Sequence, residues 1–116
     1  MAGKKKQKAP LSREALELVA QRFKALADPT RLALLQALFE GERTVQELCE
    51  ATGTNQANAS KHLALLTDQG LLARRKDGLF VRYRIDDPTV HALCELVCGS
   101  LARRFEAVRA HLVPED

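Results

Sequence analysis

Residues 44–85 read TVQELCEATGTNQANASKHLALLTDQGLLARRKDGLFVRYRI, and the spacing of the apolar residues changes partway along this stretch. Up to Gly70 the apolar residues recur at helical spacing, and Gly53 divides that part into a short helix and a longer one. Beyond Gly70 the period is two, and Asp77-Gly78 separates two strand-like runs, a strong signal for a β-hairpin. Helix, glycine turn, helix and hairpin together predict a helix-turn-helix followed by a β-wing.

Local signals mark where these helices begin. Thr44-Val-Gln-Glu47 has the spacing of a capping box, in which the threonine and glutamate side chains each accept a bond from a backbone amide. Asn55 or Thr54 is expected to cap the second helix, which runs to about Gln69.

The flanking sequence predicts three more helices. Ser12 precedes an amphipathic run, and Asp28-Pro29 offers an N-cap followed by a first-turn proline. The helix that begins there and ends at Gly41 is apolar around most of its girth, so we expect it to lie centrally. Asp86-Asp87-Pro88 ends the second strand and begins a last, long helix.

The chain of 116 residues is long enough for one domain with a modest core. We therefore predict a mainly α fold with a β-hairpin after the fourth of five helices, a winged helix-turn-helix that forms a dimer. The domain is expected to span residues 11–113, preceded by a disordered basic tail over residues 1–10.

Several classes of protein are excluded by composition and pattern. No apolar run approaches the length of a membrane span, and the N-terminal lysines are not followed by the apolar stretch of a secretory signal. Three cysteines, an odd number, indicate free thiols in a reducing cytoplasm. No nucleophile has an evident base and no glycine-rich phosphate loop is present, so an enzyme is not expected.

Positive charge is concentrated in the segment that holds the longer helix and the hairpin. The whole chain carries a net charge of only +3, but residues 54–85 contain six basic and two acidic residues. A basic segment of this kind favours a polyanionic partner such as nucleic acid.

The longer helix has an unusual outward face. At 100° per residue Ala59, Leu63 and Leu66 share one side and are expected to face the core. The opposite side of its N-terminal half carries amide, hydroxyl and cationic groups, and no carboxylate occurs before Asp68. Such groups read base edges in the major groove of double-stranded DNA, whereas phosphate would repel a carboxylate.

We therefore expect the DNA contacts to come from the longer helix and from the hairpin. The candidates on the helix are Asn55, Gln56, Ala57, Asn58, Ser60, Lys61 and His62. The candidates on the hairpin are Arg74, Arg75, Lys76, Arg82 and Arg84, which would contact phosphates, with an arginine near the tip in the minor groove. The alternative is a winged-helix module that binds another protein and does not read DNA.

The chain resembles the ArsR/SmtB family of bacterial winged-helix repressors from about residue 15 to residue 100. The motifs that carry the resemblance are L-A-D-P-T-R-L at 26–32, S-K-H-L at 60–63, and the G-L-L…R…G…V-x-Y-R pattern of the hairpin. The resemblance implies a homodimer that binds an inverted repeat in a promoter and is released by an inducer, often a metal ion or an oxidant.

The two best-known inducer sites of that family are not present in this sequence. One type has thiolates at the start of the helix that follows Thr44, where this chain has Thr44 and Val45. The zinc-sensing type has an Asp, two His and a Glu on the last helix. Asp87 is present, but the other three positions hold Thr89, Ser100 and Arg103. Neither pattern identifies an inducer or a cofactor.

One further cluster could sense an inducer. His91, Cys94 and Cys98 share a face of the last helix, where they could bind a soft metal ion or where the thiols could be oxidised. The same stripe continues to Leu101 and Phe105, which favours the simpler interpretation that the cysteines pack in a dimer interface.

Overall fold

The computed structural model describes the backbone of residues 10–112 and the side chains of residues 10–107. The elements in this range are α1 (Arg13–Leu26), α2 (Pro29–Leu38), β1 (Arg43–Thr44), α3 (Val45–Thr52), α4 (Gln56–Asp68), β2 (Leu72–Asp77), β3 (Phe80–Ile85) and α5 (Thr89–Leu112). The predicted winged helix-turn-helix is confirmed. The tail predicted for residues 1–10 lies outside the described residues except for Pro10.

Each of the first four helices begins at a side-chain cap. Ser12 accepts a hydrogen bond from the third residue beyond it, as does Asp28, and Pro29 follows that aspartate in the first turn of α2. Both bonds of the capping box between Thr44 and Glu47 are present. Asn55 accepts from the amide of residue 58, so the asparagine and not the threonine before it caps α4.

The hairpin turn lies one residue later than the sequence predicted. Asp77 pairs with Phe80 across the hairpin, so the two-residue turn is Gly78-Leu79 and not Asp77-Gly78. Gly78 has a φ of 63°, the left-handed region that a type II′ turn requires at its first position. The tip therefore carries an exposed leucine, Leu79.

The sheet has a third strand that the sequence did not reveal. β1 pairs antiparallel with β3, with Arg43 opposite Tyr83 and Thr44 opposite Arg82, which gives the order β1-β3-β2. Two residues are too few to show a period of two, so this strand carried no pattern. It joins the start of α3 to the hairpin and thereby fixes the wing against the helix-turn-helix.

The core lies between α2, α3, α4 and the inner face of the sheet. As predicted, α4 buries Ala59, Leu63 and Leu66, which join Leu72 and Tyr83 of the hairpin in one cluster. The exposed side of α4 is thus oriented by a fully buried apolar seam.

The prediction that α2 is central was only partly right. Leu34, Leu35 and Leu38 are buried, but Leu32 is 41% exposed. It lines an open apolar groove of about 620 Å³ between α1, α2 and α5, which we call the α1/α5 groove. Other residues of the groove include Phe23 and Leu101, both of them exposed.

No helix in the described part of the chain combines the length and the apolar character needed to cross a membrane.

Candidate nucleic-acid interface

The N-terminal half of α4 presents the polar side chains that the sequence indicated. Gln56, Ala57, Ser60 and Lys61 are exposed, and Asn58 is half-buried. The side chain of Asn55 is committed to the cap, because its Oδ1 accepts from the amide of Asn58 at 2.8 Å. The amides of the first turn lack partners within a helix, so this end of α4 is also suited to a phosphate oxygen.

His62 has a different environment from its neighbours on α4. It is half-buried, and its Nδ1 lies 3.1 Å from Nη1 of Arg31 on α2. It therefore stands where α4 meets α2, at the edge of the exposed face.

The hairpin divides its five basic residues between two faces. Arg74 pairs with Tyr83, and Lys76 pairs with Val81. Partners in an antiparallel pair share a face, so Arg74 and Lys76 extend from the face whose buried residues pack with α4. The other three basic residues, Arg75, Arg82 and Arg84, lie on the opposite face.

Carboxylates pair with the three arginines of that opposite face. Arg75 forms a two-bond pair with Glu42, from Nε at 2.9 Å and from Nη2 at 2.8 Å. Arg82 Nε donates to Asp77 at 2.8 Å, whereas Arg84 and Asp86 are 3.8 Å apart.

The same ion pairs lower the pKa values of the two acids. The hydrogen bond from Arg75 lowers the pKa of Glu42, and the bond from Arg82 lowers the pKa of Asp77. Charge on the opposite face is therefore largely compensated.

Arg74 and Lys76 take part in none of the ion pairs formed within residues 10–107. The guanidinium of Arg74 lies 6.0 Å from the ring centroid of Tyr83, at the outer limit of a cation–π contact. Lys61 on α4 is likewise exposed and outside those pairs. Lys61, Arg74 and Lys76 are therefore available to a phosphate backbone. Arg75 and Arg82 are already paired with carboxylates.

His91 does not converge with the two cysteines of α5 in a single chain. Its ring packs on Phe39 with a centroid distance of 4.5 Å, and its Nε2 lies 3.7 Å from Glu95. No group of three His, Cys, Asp or Glu residues suited to a metal ion occurs among the described residues. Within one chain these three residues therefore do not form a ready-made metal cluster, and an inducer site that includes them stays a prediction.

Cys94 and Cys98 both line the α1/α5 groove. Burial raises the pKa of the Cys94 thiol, and the neighbouring Cys98 raises it further. A raised pKa lowers the thiolate fraction at neutral pH and so disfavours rapid oxidation of this sulfur. The third cysteine, Cys49, is half-buried and packs against the core.

Three residues of this region had no role in the sequence interpretation. Arg31 contacts His62, Glu42 pairs with Arg75, and Arg22 of α1 donates to Asp87. Arg31 belongs to the L-A-D-P-T-R-L motif, so the sequence marked this arginine but not its contact. The bonding partner of each of the three residues is more than 30 residues away along the chain. Contacts between residues so far apart along the chain produce no periodic pattern in the sequence.

The chain is similar to known bacterial regulatory proteins. Residues 28–74 match the family model described as "Bacterial regulatory protein, arsR family". The chain is 46% identical over 80 residues to a probable mercury resistance operon repressor of Streptomyces lividans, covering 69% of this chain and 64% of that protein. It is also 35% identical over 98 residues to the HTH-type transcriptional repressor SmtB of Mycobacterium tuberculosis, covering 84% and 70%.

A solved structure shows the same fold. The solution structure of the homodimeric winged helix-turn-helix DNA-binding domain Mb0332 of Mycobacterium bovis, a possible ArsR-family regulator, is 35% identical. The match has a TM-score of 0.73 and covers 100% of both chains. The chain spans less than two thirds of the Streptomyces repressor but 70% of SmtB. The motifs, the fold and these relatives together show that the chain belongs to the arsR family of bacterial regulatory proteins.

Proposed function

We propose that this protein is a transcriptional repressor that binds double-stranded DNA sequence-specifically. The observation that carries the proposal is the exposed, carboxylate-free N-terminal half of α4 on the same side of the sheet as Arg74 and Lys76. Gln56, Asn58 and Ser60 would read base edges, while the cations would contact phosphates. The family consists of regulators and not of enzymes, and the three free thiols fit a cytoplasmic location.

The protein is expected to act as a homodimer on an inverted repeat. Exposed apolar side chains continue along α1 and α5, including Leu16, Phe23, Leu101 and Phe105. A second copy would cover them, as the homodimeric assembly of the Mycobacterium bovis domain supports. Two recognition helices related by a two-fold axis require half-sites about 34 Å apart, one turn of the DNA helix.

The α1/α5 groove is the candidate location for an inducer. Two copies that meet through α5 would bring Cys94 and Cys98 of both chains near the two-fold axis, where up to four sulfurs could bind a soft metal ion. The relative named for mercury resistance supports a thiophilic inducer. The competing view, in which both cysteines only pack, is supported by the apolar lining of the groove.

Selection of bound fragments from random duplex DNA tests the central proposal. We expect an enriched inverted repeat whose affinity falls steeply with salt concentration, because cations that contact phosphates release counterions. Gln56→Ala should then relax the preference at one base pair by about 1–3 kcal/mol. A protein-interaction module would enrich no sequence, and that result would refute the proposal.

A further inference from the structure

Hydrogen bonds fix Arg31 between helices α1 and α2, and its side chain also contacts the recognition helix α4. Its Nε donates to the carbonyl of Ala25 at 2.6 Å, and its Nη2 donates to the carbonyl of Lys24 at 3.1 Å. Its backbone amide donates to Asp28, the cap of α2, at 3.0 Å. The guanidinium therefore joins the last turn of α1 to the first turn of α2, and its remaining nitrogen, Nη1, contacts His62.

The contact between Arg31 and His62 determines which nitrogen of the imidazole carries the proton. A guanidinium donates only and does not lose its proton in a protein. Nδ1 of His62, 3.1 Å from Nη1, must therefore accept with its lone pair. In that arrangement the single proton of a neutral His62 ring lies on Nε2. The two nitrogens lie on different edges of the ring, so the Nε2–H group points away from Arg31.

The position of His62 on α4 selects a phosphate rather than a base as the acceptor. His62 is one helical turn beyond Asn58, and it lies closer to the buried seam of Ala59, Leu63 and Leu66 than Lys61 does. A residue at the edge of a recognition helix lies against the wall of the major groove, where the phosphates are, and not over its floor.

We infer that Arg31 is a positioning residue that holds His62 as a fixed Nε2–H donor to a DNA phosphate oxygen. The inference rests on the proposed DNA binding. It assigns Arg31 an effect on DNA affinity without any contact between Arg31 and DNA. It also explains why a partly buried histidine is placed among the smaller amide and hydroxyl groups of α4.

Two substitutions of His62 separate its two nitrogens. The amide nitrogen of glutamine reaches the place of Nε2, whereas the shorter asparagine reaches only the place of Nδ1. We expect His62→Gln to bind the selected duplex within about threefold of the parent, and His62→Asn to lose about tenfold, the effect of one hydrogen bond to a charged group. A neutral methylphosphonate at the contacted phosphate should weaken the parent and His62→Gln, but not weaken His62→Asn further. Equal affinities of the two variants would overturn the inference.

The tautomer can be measured in the free protein, independently of any variant and of DNA. Nitrogen-15 correlation spectra of the parent at about pH 8, where an ordinary imidazole is neutral, should show the His62 proton on Nε2. Arg31→Met, which removes the donor, should shift the tautomer population towards Nδ1–H and weaken DNA binding. A proton on Nδ1 in the parent would overturn the inference even if the protein binds DNA. A parent that binds no duplex would instead refute the proposed function on which the inference depends.

Discussion

Arg22 and Asp87 form an ion pair that joins α1 to the start of α5, with Nη1 and Oδ2 2.9 Å apart. The Nη2 of the same arginine donates at 3.0 Å to the carbonyl of Gln69, which caps the C-terminal end of α4. One side chain thus links a helix proposed for dimerisation to the end of the recognition helix. Asp87 is also the one residue of the zinc-type ligand set that this sequence retains, and here its carboxylate is bonded to Arg22 and Thr89.

Replacing Arg22 should loosen this link. We expect Arg22→Met to lower the free energy of unfolding by about 1–3 kcal/mol, because a partly buried carboxylate and a helix-end carbonyl lose their donors. Urea denaturation measures the change. Arg13→Met, which removes only an exposed pair with Glu17, is the matched control and should change stability little. Equal effects of the two substitutions would show that the link contributes nothing.

The capping box should make stability depend on acid pH. The hydrogen bond from the backbone of Thr44 lowers the pKa of Glu47 below its ordinary value of 4.5. A lowered pKa in the folded state means that the stabilisation is complete above the unfolded value and is lost as the pH falls through the folded value. Glu47→Gln keeps a hydrogen-bond acceptor that does not titrate. Between pH 6 and pH 3, roughly the range in which carboxyl groups protonate, the melting temperature of this variant should therefore fall less than that of the parent. Glu50→Gln, on the exposed side of α3, should follow the parent.

The two faces of the wing should differ in their contribution to DNA binding. We expect Arg74→Ala or Lys76→Ala to reduce the salt slope of binding by about 1, since each would remove one phosphate contact. Arg75→Ala should reduce it less, because Glu42 already compensates this guanidinium. Glu42→Gln should strengthen binding to specific and random DNA alike. Should Arg75→Ala flatten the slope as much as Lys76→Ala, the ion pair must open on DNA.

Dimerisation should depend on the apolar side chains of α5. Phe105 is 63% exposed and does not contribute to the core, so Phe105→Glu should leave the chain folded but place a charge in the proposed interface. Sedimentation at micromolar concentration should show a dimer for the parent and a monomer for the variant. Leu79→Glu at the wing tip, where the leucine is 98% exposed, is the control and should remain dimeric. A parent that sediments only as a monomer would contradict the expected assembly.

The thiols of α5 can be tested with inducers. If Cys94 and Cys98 bind a soft ion, arsenite, cadmium or zinc should release the parent from DNA, whereas the variant Cys94→Ser/Cys98→Ser should stay bound. A coupling of about 1–3 kcal/mol between inducer and DNA corresponds to a change in affinity of roughly 5- to 150-fold. Peroxide should act weakly, because the raised pKa of Cys94 leaves little thiolate. A parent that ignores all four agents, or a variant that responds as the parent does, would show that these cysteines only pack.

The sequence by itself determined the five helices, most of their caps, the two strands of the wing and the buried face of the recognition helix. These features depend on residues three or four apart, as in Thr44 with Glu47, or on one apolar seam such as Ala59, Leu63 and Leu66. Spacing along the chain encodes interactions of that range directly, so the helix-turn-helix and the wing could be predicted.

The tertiary structure alone decided which charges are free and which are compensated. Arg75 follows Arg74 in the sequence, yet the pleat places them on opposite faces, and only Arg75 meets Glu42, 33 residues away. In the same way Arg31 meets His62 across 31 residues, a contact that no spacing in the sequence indicates. Such pairs form where two elements happen to pack, because electrostatic and hydrogen-bond energies depend on distance in space and not on separation along the chain.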